Sequence, residues 1–357
     1  MTFSVTVQPS GRRFEVDDGE TVLAAALRSG VGLPYGCKNG ACGSCRGRLV
    51  DGRVHHGPHQ ASALSAEDEA RGSALFCSAF PDSDLVVEVR EVRGIGEIPI
   101  KKLPARVAVL TRVAPDVAII RLQLPSAERL QYLPGQYVEV LLKDGRRRSY
   151  SLAGAPGLTD QVELHVRHTP GGIFTDHVFG AGPTQMKERD ILRFEGPLGS
   201  FFLRDDSTRP IVLVASGTGF APIKSIVEYA VLKQLERPIT LYWGGRRPHD
   251  LYMDGLARSW TGELPDFRYV PVVSDAIAED GWSGRGGFVH RAVLDDFADL
   301  SGHQVYACGA PVMVEAARRE FVRDRGLPDD EFFADAFITA ADVAAAEASG
   351  TTIAANG

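Results

Sequence analysis

Cysteine is scarce, with five residues in 357, far below the density of a disulfide-stapled secreted scaffold. No apolar run approaches the roughly 20 residues needed to span a bilayer, so no membrane partner is expected. Positive charge is not in excess either. Lysine plus arginine number 39 against 46 aspartate plus glutamate, a formal net charge of −7. That balance argues against a nucleic-acid binder and against a basic membrane-surface protein. Repeats at solenoid or propeller periods are missing. Met1 passes directly into the alternation of Phe3, Val5 and Val7, without a secretory leader, and the expected compartment is the cytoplasm. Hydrophobic content of 44% and charged content of 24% are those of an ordinary globular chain, long enough for two or three domains of about 100–200 residues.

What cysteine there is, is concentrated. Gly36 to Gly47 reads Gly-Cys-Lys-Asn-Gly-Ala-Cys-Gly-Ser-Cys-Arg-Gly and holds Cys37, Cys42 and Cys45, with Cys77 following after a gap. This is C-x4-C-x2-C…C, the plant-type [2Fe–2S] spacing. A tight loop supplies three thiolates and a distant segment the fourth. Gly36, Gly40, Gly43 and Gly47 let the backbone turn N–H groups towards sulfur. A structural zinc site is the competing reading, but zinc favours paired knuckles, and one ligand here stands alone downstream.

Around the loop, Phe3 to Val7 and Arg13 to Val16 form a hairpin pattern, and Thr21 to Ser29 has helical spacing. Arg48 to His55 carries Asp51-Gly52 as a two-residue turn, and Leu85 to Val92 closes a compact α+β unit. His55, His56 and His59 read as a loop of solvated histidines. Arg93 to Lys102 lacks periodicity and reads as a linker. Six short strands then follow: Val107 to Arg112, Val117 to Leu124, Tyr137 to Leu142, Arg148 to Leu152, Val162 to Arg167 and Ile191 to Phe194. Their spacing suggests an antiparallel β-barrel. From Ile211 the rhythm becomes βα, with strands at Ile211 to Ala215, Ile239 to Trp243, Phe267 to Val273 and Gln304 to Ala307. That implies a doubly wound parallel α/β sheet. The expected domains are residues 1–93 (β-grasp, ferredoxin-like), 94–102 (linker), 103–205 (barrel), 206–338 (α/β) and 339–357 (a disordered tail).

Two further sets of residues suit phosphates and rings. In the barrel, Arg148-Ser149-Tyr150-Ser151 offers a fixed cation, a flat face and a hydroxyl. His165-Val-Arg167 follows, then Gly171-Gly172-Ile-Phe-Thr175, a glycine pair opening a helix with a hydroxyl in its first turn, which suits a pyrophosphate. In the α/β region, Gly217-Thr218-Gly219-Phe220-Ala221-Pro222 lies between an apolar strand and a helix, where a dinucleotide can approach the backbone. Cys308-Gly309-Ala-Pro311 repeats that setting at a later strand end.

The stretches Gly32 to Cys45, Gly145 to Ser151, Ala215 to Ser225 and Tyr306 to Met313 resemble the ferredoxin–NADP⁺ reductase superfamily, in the arrangement with an N-terminal plant-type ferredoxin domain. That arrangement is typical of reductases of multicomponent oxygenases. The whole-chain pattern is most similar to the CDP-6-deoxy-Δ3,4-glucoseen reductases. The resemblance implies FAD held by Arg148, Tyr150, Ser151 and the loop of Gly171, Gly172 and Thr175, with Ser149, His165 and Arg167 as further cofactor-binding candidates beside them. It also implies a pyridine nucleotide over Gly217, Thr218, Gly219, Pro222, Ser274, Asp275, Cys308, Gly309 and Pro311. Ser151, Cys308, Asp335 and Phe337 match the serine, cysteine, acid and aromatic that surround the flavin–nicotinamide contact in the superfamily. Asp335 replaces a commoner glutamate, and residues continue past Phe337, leaving open whether Phe337 or Phe333 covers the ring.

Ser274-Asp275 places a carboxylate where phosphate-binding relatives have arginine, which favours NADH; Arg246 and Arg247 read as surface or adenine-side residues. The expected route is NADH to FAD to [2Fe–2S] to a protein acceptor, an oxygenase component or alternatively a deoxysugar dehydratase component. Lys38, Arg46 and Arg48 suggest an acidic docking face on that acceptor. A redox-sensing or regulatory module without fast turnover is the reading from a different class.

Overall fold

The computed structural model describes residues 2–96, 98–181, 185–338 and 352–353. Packing divides the chain into two units, one of Met1–Pro99 with Asp335–Gly357 and one of Ile100–Ala334.

In the first unit, Phe3–Gln8 (β1), Arg13–Val16 (β2), Arg46–Asp51 (β3), Ser73–Leu75 (β6) and Leu85–Glu88 (β8) form a five-stranded sheet in the order β2-β1-β8-β3-β6. Val5, Val7, Phe14 and Val16 alternate inward and pack against the helix Val22–Arg28 (α1), whose buried face is Val22, Leu23, Ala25 and Ala26. Thr21 caps that helix by accepting from Ala24 N at 3.2 Å. Val54–His56 (β4), His59–Gln60 (β5) and Ala79–Pro81 (β7) lie outside the main sheet, and Ala66–Ala70 (α2) starts from the Ser65 cap.

Two expectations are corrected here. Asp51-Gly52 does not join a hairpin: β3 pairs with β6 and β8, and β4 pairs with β7. Gly52 takes φ +95°, and a Cβ there would overlap the Asp84 carbonyl, so the chain turns against a neighbouring loop and crosses to another sheet. The histidines are not a solvated loop. His56 and His59 are buried; His56 Nδ1 meets Glu69 at 2.9 Å and its Nε2 accepts from Leu75 N. Only His55 is exposed, stacked on Phe80. The tail expected to be disordered lies outside the described residues, apart from Thr352–Ile353 (β21), which pairs antiparallel with β5.

In the second unit, Lys101–Ala114 (β9), Val117–Gln123 (β10), Tyr137–Leu141 (β11), Arg147–Ser151 (β12), Gln161–Arg167 (β13) and Ile191–Leu198 (β14) form an antiparallel sheet in the order β12-β11-β14-β9-β10-β13. All six expected strands are present, and β9 begins inside the segment expected as linker. The helix Ile173–Phe179 (α3) presents Phe174, Val178 and Phe179 to the core of this sheet, beside Ile120, Leu164 and Phe194. The second sheet holds Ile211–Ser216 (β15), Ile239–Gly245 (β16), Phe267–Val273 (β17), Arg285–Gly286 (β18), Gln304–Gly309 (β19) and Phe332–Ala336 (β20), ordered β18-β17-β16-β15-β19-β20. The pairs β15–β16, β15–β19 and β16–β17 are parallel. Its main helices are Phe220–Lys233 (α4), Val289–Asp296 (α6) and Pro311–Arg325 (α7), with the short Asp254–Ser259 (α5).

Barrel and parallel sheet meet through buried charge. Lys224 of α4, 6% exposed, lies 3.0 Å from Glu163 of β13 and 2.7 Å from Glu228 one turn on. Its third proton reaches the Ala153 carbonyl at 3.2 Å. Glu228 accepts from Ala155 N and Ser225 donates to the Gly154 carbonyl, so α4 grips the loop that leaves β12. Burial alone would raise Glu163, but the His165 hydrogen bond and the Lys224 charge hold it below the usual carboxylate range. Lys224→Met, which strands buried carboxylates, is expected to cost about 3–5 kcal/mol, read as an earlier urea midpoint for flavin release. Adding Glu163→Gln should recover part of the loss. Because Glu163 is depressed, its contribution is present above about pH 4.3 and is lost as the pH falls further. A midpoint unmoved by Lys224→Met would show that this network does not join the two layers.

Candidate functional site

The cysteine loop is shaped by left-handed residues: Lys38, Gly40 and Gly43 take φ of 61°, 76° and 74°. These turns aim N–H groups at sulfur. Cys37 N points at Cys42 Sγ (3.4 Å), Ala41 N at Cys37 Sγ (3.4 Å) and Gly40 N at Cys77 Sγ (3.3 Å). A Cβ on Gly40 would crowd His59 and the Pro58 carbonyl. The thiols come together as two pairs, Cys37 with Cys42 and Cys45 with Cys77. In each pair one thiol hydrogen-bonds to the other, which lowers Cys42 and Cys77 and raises Cys37 and Cys45. Among the described residues no three His, Cys, Asp or Glu side chains close on a single ion. Two pairs of thiolates fit a two-iron cluster, with two ligands for each iron, better than one tetrahedral zinc. Of the basic residues expected near the loop, Arg48 pairs with Glu88 at 2.6 Å and Arg46 with Asp68 at 3.4 Å. Lys38 Nζ sits 6.0 Å from the Tyr35 ring. The arginine charges are therefore matched within the domain.

In the barrel, Ser151 is buried, Arg148 is half-buried and Ser149 exposed. The Arg148 guanidinium turns back on the Arg147 carbonyl at 2.7 Å. Tyr150 leans on Phe174 of α3, with ring centroids 5.1 Å apart. The helix α3 starts at Gly172 with no side chain capping it. Gly171 has φ +82°, while a Cβ on Gly172 would crowd Thr175 Oγ1. That hydroxyl donates to the Thr169 carbonyl at 2.8 Å and accepts from Thr169 N, so Thr175 shapes its own loop. His165 is corrected from the flavin set. It is buried, with Nδ1 2.8 Å from Tyr252 Oη and Nε2 3.1 Å from Glu163. A carboxylate only accepts, so Nε2 carries the proton and Nδ1 accepts from the tyrosine; neither nitrogen remains for a cofactor. Arg167 points elsewhere too. Its guanidinium lies against Gly217, near Asp116 (3.3 Å) and Asp250 (3.7 Å).

The nucleotide turns interlock. After β15, Gly217 has φ +53° and its carbonyl accepts from Trp243 Nε1 at 3.0 Å. Trp243 stacks on Phe220 at 3.8 Å. At the end of β19, Gly309 has φ +131°, and Ala310 N donates to Ser216 Oγ at 2.9 Å. A Cβ on Gly219 would overlap the Cys308 carbonyl, and one on Gly309 would overlap Ser216. Cys308 is fully buried. Thr218 is half-buried and Pro222 lies buried in the first turn of α4. Pro311 opens α7 in its first turn. Ser274 N and Asp275 N donate to the Gly245 and Arg246 carbonyls, extending the β16–β17 ladder past the strands. Phe333 stacks on Tyr306 at 4.8 Å and lies against the Arg204 guanidinium. Asp335 lies in β20 and Phe337 just beyond it, both half-buried. Neighbouring groups exclude enough water from the Asp335 carboxyl to push it up to about 7.

Comparison with known proteins matches one known domain to each of these three regions. Residues 5–82 match the 2Fe-2S iron-sulfur cluster binding domain, 104–203 the oxidoreductase FAD-binding domain and 213–319 the oxidoreductase NAD-binding domain. The CDP-6-deoxy-L-threo-D-glycero-4-hexulose-3-dehydrase reductase of Yersinia pseudotuberculosis is 41% identical, over 95% of this chain and 99% of that one. The chain belongs to the iron–sulfur flavoprotein reductases of the ferredoxin–NADP⁺ reductase superfamily. Reductase component 1 of the terephthalate 1,2-dioxygenase of a Comamonas species is 37% identical over 95% of this chain and 98% of its own. The crystal structure of the cytochrome P450 reductase GcoB of Amycolatopsis superposes with TM-score 0.74 at 37% identity, covering 94% of this chain and 98% of that chain. The protein is an oxidoreductase that binds a [2Fe–2S] cluster, FAD and NAD. Among the described residues no helix is long and apolar enough to cross a membrane.

The residues missed by sequence reading are Glu163, Lys224, Glu228, Tyr252 and Trp243, which carry no ligand motif. A signal existed for one: Glu163, His165 and Arg167 share one face of a strand by period two, and that face meets the nucleotide domain. Gly219→Ala is expected to raise the KM for the nicotinamide coenzyme about tenfold or more, since overpacking costs about 1–3 kcal/mol, with flavin content unchanged. An unaltered KM would show that this turn does not seat the nucleotide.

Proposed function

We propose that the protein takes electrons from NADH and delivers them singly to an external protein acceptor, the oxygenase component of a multicomponent system. When bound, FAD accepts a hydride and releases electrons one at a time to the [2Fe–2S] cluster. The observation that carries this reading is the cysteine loop, whose Cys37, Gly40 and Ala41 N–H groups aim at the sulfurs of Cys42, Cys77 and Cys37, in one chain with the flavin and nucleotide domains. The protein's own residues supply seating and alignment. Ser151, at the buried end of β12, is assigned to the flavin's reacting edge, with Arg148, Ser149, Tyr150 and the open N-terminus of α3 along the rest of the cofactor. Arg167, placed at Gly217, is assigned to the nucleotide side. Cys308 is held against the nucleotide turn and is assigned to position the nicotinamide; Asp335 and Phe337 are kept as candidates for completing that contact.

NADH rather than NADPH is supported by Asp275 beside the ladder end and by Arg247, whose guanidinium is tied to Asp280 at 2.7–2.8 Å. A second reading of the acceptor, a deoxysugar dehydratase component, is favoured by the 41% identity to the Yersinia reductase. Supplying the purified protein with each kind of acceptor under NADH separates the two.

The electron order has a direct test. Cys77→Ser should abolish cytochrome c reduction while NADH–ferricyanide activity and flavin absorbance persist. Loss of both activities in a folded, flavin-replete variant would overturn the order, and so would full cytochrome c reduction without the cluster. Slow NADH oxidation with every acceptor would favour a sensor.

A further inference from the structure

Coenzyme choice in this sheet rests on how one arginine is held. β16 and β17 end side by side, Gly245 opposite Val273, and Ser216 of β15 is opposite Gly244. Arg246 and Arg247 therefore leave the same sheet edge as the glycine turn at Gly217–Gly219, and Ser274 and Asp275 run beside them through the two backbone hydrogen bonds to Gly245 and Arg246. Asp250 Oδ2 accepts from both Arg246 N (2.8 Å) and Arg247 N (3.0 Å), which fixes where these side chains start. The Arg247 side chain is then claimed from the other direction. Its Nε and Nη2 donate to Asp280 Oδ2 and Oδ1 at 2.8 and 2.7 Å, a fork-to-fork pair of the strongest kind for a guanidinium. Asp280 is itself fixed by Ile277 N, 3.0 Å from Oδ2, and its side chain is only 14% exposed.

We propose that Asp280 is a specificity-determining residue: it withholds Arg247 from a ribose 2′-phosphate and so keeps the site selective for NADH. A guanidinium at the carboxyl edge of a parallel sheet is the group a 2′-phosphate needs. Here its hydrogen-bonding edge is occupied by a carboxylate of the protein. An incoming phosphate meets the Asp275 and Asp280 charges and finds the Arg247 guanidinium already paired, with only the exposed Arg246 beside it, whereas a free 2′-hydroxyl needs no cation. The inference rests on the NADH reading above and adds the residue that enforces it.

The test compares kcat/KM for NADH and NADPH in the holoprotein with ferricyanide, and measures 2′,5′-ADP binding calorimetrically. D280A frees Arg247. D280N removes the charge while keeping an acceptor for Ile277 N, so the loop stays capped. In both, the NADPH/NADH ratio should rise about tenfold or more, as gaining one charge-assisted hydrogen bond to phosphate requires, and 2′,5′-ADP should bind correspondingly tighter. R247A/D280A should lose the gain. A wild type without preference overturns the coenzyme reading and this inference together. A wild type that prefers NADH but whose D280A and D280N variants gain nothing overturns this inference alone, as does a gain that survives R247A, which would move the effect to Arg246.

Discussion

A buried ammonium group stands at the centre of the network that ties the barrel to the parallel sheet. Lys224 is buried, and its three protons are all used, on Glu163, Glu228 and the Ala153 carbonyl. Removing such an ion from water costs several kcal/mol, and only full satisfaction of its hydrogen bonds offsets that. The satisfaction is mutual. Glu163 also receives Arg121 at 2.8 Å and His165 at 3.1 Å, and Glu228 receives Ala155 N. Hydrophobic contact alone would let two domains slide. A saturated ionic network has one geometry, and any displacement exposes an unpaired charge.

That geometry matters because of what the network's ends carry. Lys224 and Ser225 sit one turn into α4, whose first residues are the nucleotide turn. The carbonyls they grip, Ala153 and Gly154, come just after Ser151 on the flavin strand. His165 passes the connection to Tyr252, whose ring stands edge-on to Trp243, and Trp243 donates to Gly217. Seat and strand are thus joined by two routes, one through the helix and one through the aromatic stack. Hydride transfer between two separately bound rings demands such alignment.

Sequence patterns made the six barrel strands, the parallel sheet and the cysteine loop legible, because period and spacing report local geometry. They failed where a partner across space decides. Asp51-Gly52 has the turn residues of a hairpin, yet Gly52 faces the Asp84 carbonyl and the strands separate. His56 and His59 look polar in a polar loop, but Glu69 and the Leu75 amide, and the Gly57 carbonyl, give them buried partners. His165 lies two residues from a cofactor-type arginine and is committed to Glu163. Alternation along β13 says which side chains share a face; it does not say that a lysine waits opposite.

The glycines of the nucleotide site carry the same lesson in reverse. A glycine-rich turn is ordinarily explained by room for phosphate, and Gly217 and Gly219 stand where that explanation applies. Yet Gly219 is packed against the Cys308 carbonyl, Gly309 against Ser216, and Gly217 against the Arg167 guanidinium. Gly219 and Gly309 lack a side chain because another part of the protein already fills the space, and Gly217 and Gly309 also hold positive φ. The Gly217–Gly219 turn and the turn that carries Cys308 are therefore one packed object, tied further by Ala310 N to Ser216 Oγ. Cys308 cannot shift without moving the Gly217–Gly219 turn, so the backbone itself fixes how the ends of β15 and β19 lie against each other.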